Sequence, residues 1–184
     1  MKEIIKRIKK ESASEKIFLI GVDGPCASGK TTFANMIATE TGAQIIHTDD
    51  FFLPFELRTP ERLLQAGGNI HYERFSAEIA DGIASDIPFE YGIYNCKEGR
   101  ITEKKTVIPE GVIIVEGSYS MHPEIGIDWD LKIFVEAEYD IRLERILRRN
   151  GEGMLKIFKE KWIPLENAYF EHFGIRDKCD IIVK

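Results

Sequence analysis

The chain contains no apolar run near the roughly 20 residues that a membrane span needs. Its first twelve residues are charged and amphipathic, with Ile4, Ile5 and Ile8 on one helical face, and they lack the apolar stretch of a signal peptide. Cysteine is scarce. Cys26, Cys96 and Cys179 are far apart and odd in number, so they form neither a C-x-x-C ligand pair nor a disulfide framework. A reducing cytoplasm is the expected compartment. Positive charge is in the minority, 25 Lys plus Arg against 31 Asp plus Glu, for a net charge of −6. That balance excludes a general nucleic-acid binder or a polybasic membrane binder, whose affinity rests on neutralising many phosphates. The four histidines, His47, His71, His122 and His172, have no metal-ligand spacing. There is no internal repeat and no low-complexity tract. What remains is a chain of 184 residues with ordinary globular composition, expected to form one domain.

Strand and helix patterns alternate along it. Ile17 to Val22, Ala43 to His47, Gly111 to Val115, Leu131 to Val135 and Asp180 to Val183 are short apolar runs of the kind that fill buried parallel strands. Lys30 to Thr41, stopped by Gly42, and Tyr72 to Ser85 show helical spacing. So do Asp140 to Asn150 and Met154 to Phe173, where Pro164 is expected to kink or break the second. Residues 53–69 read as loop with a helical turn at Pro60 to Gln65, and 89–107 as a hairpin around Glu98-Gly99. The expected fold is α/β. It has a mostly parallel sheet of about five strands, helices on both faces and an Arg-rich helical lid.

Between the first strand and its helix stands Gly24-Pro25-Cys26-Ala27-Ser28-Gly29-Lys30-Thr31, the G-x-x-x-x-G-K-[ST] pattern of a P-loop. Its glycines let successive N–H groups turn inward around phosphate oxygens, and the helix start adds a positive end. Gly24, Ala27, Ser28, Gly29, Lys30, Thr31 and Thr32 are the expected nucleotide-binding set, with Lys30 on the phosphates and the Thr31 hydroxyl on Mg²⁺. Cys26 reads as a small filler, the alternative being a thiol acidified by the loop amides and Lys30.

In a parallel sheet, ligands gather beyond the carboxyl ends of the strands. Asp49 or Asp50 after the second strand and Glu116 after the third should therefore share a crevice with the P-loop. There they would offer a carboxylate for the acceptor hydroxyl and one for Mg²⁺. Arg142, Arg145 and Arg149 fall on one helix face and suit a phosphate clamp. Arg148 is expected to point elsewhere and pair with Glu144. Gly151 and Gly153 are the expected hinge of the lid. His47 and His172 read as structural, and His71 and His122 as loop residues near the crevice. Trp129, Trp162, Tyr169 and Phe170 read as core or interface.

Together, GPCASGKTT at 24–32, TDDFF at 48–52, VEGSY at 115–119 and RLERILRRNG at 142–151 resemble the uridine kinase-like branch of P-loop kinases. That branch includes uridine-cytidine, nicotinamide riboside, pantothenate and phosphoribulo-kinases. The resemblance implies that Asp49 is the general base, that Thr31, Glu116 and Asp49 lie on the magnesium side, and that Arg142, Arg145 and Arg149 are lid arginines. Asn69-Ile70-His71-Tyr72 stands where nucleoside kinases of the branch carry an Asp-His-Pro element. Asp50, His71, Tyr94, Arg100, Glu116 and Tyr119 are the acceptor-side candidates. The implied activity is ATP- and Mg²⁺-dependent transfer of a phosphoryl group to a small-molecule hydroxyl, a nucleoside first. Nicotinamide riboside or pantothenate is the alternative acceptor, and a nucleotide-switch or regulatory ATP-binding protein the alternative of another class. An N-K-x-D guanine-reading motif is absent. Neither nucleic acid nor membrane is an expected partner, and a homo-oligomer is left open. An acceptor insert is expected at about 54–107 and the lid at about 138–153.

Overall fold

The computed structural model describes residues 1–184. Five parallel strands form the central sheet: β1 (Ile17–Asp23), β2 (Gln44–His47), β5 (Gly111–Glu116), β6 (Leu131–Val135) and β7 (Ile181–Val183). They lie in the order β2-β5-β1-β6-β7. Strands β3 (Phe89–Asn95) and β4 (Arg100–Val107) make a separate antiparallel hairpin. Side chains alternate across a strand, so Val112 and Ile114 of β5 face one layer while Ile113 and Val115 face the other. Helices α1 (Lys2–Glu11) and α2 (Lys30–Thr41) cover the first face, packing Ile8, Phe33 and Ile37 against Ile20, Val22 and Ile133. The opposite face is covered by a helical run from Tyr72 to Ala84, by the β3–β4 hairpin and by α7 (Ile163–Phe173). These bring in Phe75, Ile79, Tyr91 and Tyr169. This is the expected three-layer arrangement.

Four details refine or differ from the sequence expectation. The run from Tyr72 to Ala84 is helical throughout, but Ser76–Ala80 widens to π geometry between α4 (Tyr72–Phe75) and α5 (Asp81–Ala84). The turn expected at Pro60 to Gln65 is the short α3 (Pro60–Leu63), capped by the Thr59 side chain. At the other end of the chain, α6 (Tyr139–Ile157) passes through Gly151, whose φ of 80° and ψ of 172° break the helical path there. Pro164 breaks nothing: it sits in the first turn of α7, where a missing N–H is harmless, and a π turn at Phe158–Trp162 precedes it.

The carboxyl ends of β2 and β5 are locked together beneath the crevice. The Thr48 hydroxyl donates to the Ser118 carbonyl at 3.0 Å, and Gly117 packs against that hydroxyl with φ of 139°. A Cβ on Gly117 would stand 1.9 Å from Thr48 Oγ1. Gly117→Ala is therefore expected to destabilise the fold by roughly 2–4 kcal/mol, through clash and backbone strain together. Urea unfolding of the variant beside the wild type measures it.

Candidate active site

A crevice of about 1200 Å³ opens at the carboxyl ends of β1, β2 and β5. The P-loop forms its floor. Gly24, Ala27 and Gly29 all take positive φ, 142°, 58° and 109°, the left-handed turns that curl the loop along the cavity floor. A loop whose amides face inward presents its carbonyls outward, and arginines meet them. Arg142 Nε donates to the Cys26 carbonyl at 2.8 Å, and Arg145 Nη1 donates to the Ala27 and Ser28 carbonyls at 2.9 and 3.1 Å. Arg142 is 6% exposed and does not line the crevice, so it braces the loop where the sequence suggested a phosphate clamp. Arg145 and Arg149 do line it. So does Arg148, which the helical-wheel reading sent elsewhere; no Glu144–Arg148 ion pair forms.

Lys30 is buried, its ammonium donating to the Pro25 carbonyl at 2.9 Å and lying 3.4 Å from Ser118 Oγ. The Thr31 hydroxyl donates to Glu116 at 3.1 and 3.2 Å. His47 Nδ1 reaches the same carboxylate at 2.6 Å, and this contact raises the His47 pKa against the opposing effect of burial. His47 thus belongs to the site, a role beyond the structural one expected of it. Hydroxyl and carboxylate oxygens side by side are a donor set that suits a hard cation such as Mg²⁺.

Asp49 and Asp50 are placed differently. Asp49 is solvent-exposed where it opens into the crevice, and desolvation by the protein packed around its other sides, opposed by Lys30 and reinforced by Glu116 and Glu166, raises its pKa above the usual carboxylate range. Asp50 is turned away toward the hairpin, where the Tyr91 hydroxyl donates to it at 3.1 Å.

The remaining acceptor-side candidates separate. Tyr119 lines the crevice. His71 caps α4, accepting from the Arg74 N–H and facing Glu73. Tyr94 is buried with its hydroxyl unpartnered, and Arg100 is an exposed hairpin residue paired with Glu98. None of these three lines the crevice, nor does His122, which stacks between Tyr72 and Tyr169. The acceptor end is lined instead by Phe52, Phe55, Arg58, Asn69 and Cys96. Trp162, expected in the core or an interface, also reaches the crevice, with the Lys161 ammonium 4.8 Å from its ring centre.

Two buried carboxylates escaped the sequence reading. Asp23, at the end of β1, accepts from the Gly24, Tyr119 and Met121 N–H groups at 2.7, 3.2 and 3.1 Å and from the Tyr169 hydroxyl at 2.8 Å. Glu166 on α7 accepts from the Cys26 N–H and the Ser118 hydroxyl, both at 2.8 Å, and lies 3.7 Å from Arg142. For Asp23 a signal was present: an acid closing an apolar strand must find partners. Glu166, in the middle of a helix, carries no such signal.

Similarity to known proteins agrees with this geometry. No family profile matches the chain. It is 25% identical over 178 residues to the uridine kinase of Deinococcus deserti, covering 84% of this chain and 82% of that one. It is 34% identical over 194 residues to uridine kinase-like protein 4 of Arabidopsis thaliana, covering 94% of this chain but 40% of the longer plant protein. A solved structure, the "putative fructose transport system kinase" of Silicibacter sp. TM1040, superposes with a TM-score of 0.76 at 18% identity over 98% of both chains. The chain is thus similar along most of its length to uridine kinase-like proteins, and its fold is that of P-loop kinases. No helix is long and apolar enough to cross a membrane.

Two predictions follow from the buried groups. Burial pushes the Asp23 carboxyl from 3.8 up to about 6, against the hydrogen bonds that lower it. Because the folded-state value is the higher, the folded protein holds this proton while the unfolded chain has lost it. Stability falls as pH rises from about 4 through 6, by about 3 kcal/mol in total from this group. Denaturant unfolding at pH 4 to 7 should show that fall in the wild type relative to Asp23→Asn. The Cys26 thiol is pushed up to about 11 by burial and the Glu166 carboxylate, the reverse of an activated cysteine. Iodoacetamide at pH 7.5 should label the exposed Cys96 well before Cys26, as read by peptide mass spectrometry.

Proposed function

We propose, for a chain that is uridine kinase-like in sequence and a P-loop kinase in fold, that it transfers the γ-phosphoryl group of ATP to a hydroxyl of a small molecule, a nucleoside first. The observation that carries this reading is convergence: Lys30, the Thr31–Glu116 pair and Asp49 open into one crevice at adjacent strand ends. A nucleotide switch needs the first three. A carboxylate held above its usual pKa and left free of hydrogen bonds serves an acceptor.

The roles follow from placement. The P-loop amides bind the phosphates. Lys30 exchanges its carbonyl partner for phosphate oxygens. Thr31 and Glu116 hold Mg²⁺, which when bound supplies charge neutralisation at the phosphates. Arg145, Arg148 and Arg149 face the same space and stabilise charge on the transferring group, which has a loose, electrostatically sensitive transition state. Asp49 orients the acceptor hydroxyl and takes its proton; its raised pKa makes it a better proton acceptor than an Asp of ordinary pKa. Residues 54–107 form the acceptor side, and 138–153 the lid, bending at Gly151. The protein acts in the cytoplasm, where its free thiols stay reduced.

ADP release measured with and without a panel of hydroxyl acceptors tests the reading. Stimulation by a nucleoside supports it, and hydrolysis indifferent to every acceptor points to the switch. Asp49→Asn should keep ATP affinity within about twofold and lose about 10²- to 10⁴-fold in kcat. Near-full turnover in that variant would remove Asp49 from the base role.

A further inference from the structure

Glu166 is a buried carboxylate on the crevice wall to which the transfer chemistry above gives no task. It stands on α7 and is 5% exposed, yet each of its polar contacts comes from another segment. Oε2 accepts from the Cys26 N–H of the P-loop at 2.8 Å, and Oε1 accepts from the Ser118 hydroxyl of the loop after β5 at 2.8 Å. Arg142 of α6, also buried, lies 3.7 Å from Oε2. A buried charge is costly without partners, and these partners belong to three segments that build the site.

Two of the three partners flank the head of Lys30. Its ammonium donates to the carbonyl of Pro25, the residue before Cys26, at 2.9 Å and lies 3.4 Å from Ser118 Oγ. A serine hydroxyl has one proton and two lone pairs. The Glu166 carboxylate and the Gly24 carbonyl, 2.8 and 3.0 Å from Ser118 Oγ, can only accept. The proton is thus committed to one of them, and a lone pair is left for the ammonium. In a P-loop the lysine reaches the outer phosphates while the backbone amides cradle the inner ones. When the Lys30 ammonium leaves the Pro25 carbonyl for phosphate, Ser118 remains as its protein partner.

We propose that Glu166 is a positioning residue: it fixes the Cys26 amide and the Ser118 hydroxyl, and through them the Lys30 ammonium, at the γ-phosphate end of the P-loop. Its effect on rate rests on the kinase reading above, and its effect on nucleotide binding on the P-loop alone. Glu166 acts through other groups and forms no bond to the reacting atoms. Its contribution is geometric, because a charge misplaced by about 1 Å can cost about 10²-fold in rate. The two hydrogen bonds carry the role, and the negative charge does not. A glutamine here would accept from the Cys26 N–H through Oε1 and donate to Ser118 Oγ through Nε2, while Ser118 turned its proton to the Gly24 carbonyl.

The test uses the full chain. Calorimetric titration with ATP and with ADP, each with Mg²⁺, reads the γ end without any acceptor. Glu166→Ala should weaken ATP about tenfold and ADP by no more than about twofold. With the acceptor that the panel above identifies, uridine first, its kcat should fall about 10- to 100-fold with the acceptor KM within about twofold of wild type. Glu166→Gln should recover most of both losses. Ser118→Ala, which leaves the Arg142–Glu166 pair in place, should show the same selective loss of ATP over ADP. The double variant Glu166→Ala/Ser118→Ala should lose less than the two single effects combined. Thermal melts accompany each variant, and where Glu166→Ala does not stay folded, Ser118→Ala decides in its place. Equal weakening of ATP and ADP assigns Glu166 to folding alone and overturns the proposal. So does unchanged ATP affinity, or a Glu166→Gln that fails as Glu166→Ala does. No transfer to any acceptor by the wild type ends the kinase reading, and the ATP-against-ADP comparison still decides for or against Glu166.

Discussion

The Asp23 carboxylate is the point on which the site's geometry depends. It closes β1 in a fully buried position and accepts four hydrogen bonds, from the first P-loop residue, from the loop after β5 and from α7. Three segments distant in sequence are thereby brought to one pair of oxygens. The end of β5 and the loop after it carry Glu116, Ser118 and Tyr119 into the crevice, and α7 carries Glu166 to the P-loop. Taking a carboxyl out of water is expensive, and its elevated pKa records that cost even after four donors have been supplied.

From that bracket the crevice follows. The P-loop turns its amides inward at the expense of exposing carbonyls on its back, and the arginines of α6 satisfy them. The basic helix is therefore divided in labour. Arg142 is a brace and Arg145 is shared, while Arg148 and Arg149 keep their charge toward the cavity. This also explains how a chain with a net charge of −6 can serve a polyanion. Its useful cations are few and local: Lys30, Arg145, Arg148 and Arg149 line one crevice. Gly151 is where the helical path of α6 breaks, with φ of 80° and ψ of 172°.

Much of this was legible in the sequence. Buried parallel strands read as unbroken apolar runs, and all five expected strands fall where IFLIGV, QIIH, GVIIV, LKIFV and IIV stand. The P-loop is a local pattern whose spacing is its geometry, so Lys30, Thr31 and the acids one strand away could be placed together. The arginines were less legible. Helical periodicity tells which residues share a face but not which face the neighbouring loop will occupy, and so Arg142 and Arg148 exchange the parts expected of them. The acceptor side was least legible. Residues 52–69 have no period, and their side chains reach the crevice through backbone bridges such as Leu53 to Asn69. His71, Tyr94 and Arg100 were chosen by resemblance, and the fold uses them as a helix cap, a buried ring and a hairpin end.

The central claim is that the crevice passes a phosphoryl group to a bound hydroxyl rather than to water. Phosphorus NMR of a mixture of protein, ATP, Mg²⁺ and uridine follows the γ-phosphorus directly. The account predicts that its signal is replaced by that of a phosphomonoester, in step with ADP, and that inorganic phosphate stays at the level of the uridine-free control. Inorganic phosphate rising in step with ADP and no ester signal, with uridine and with each other hydroxyl acceptor in turn, would contradict it.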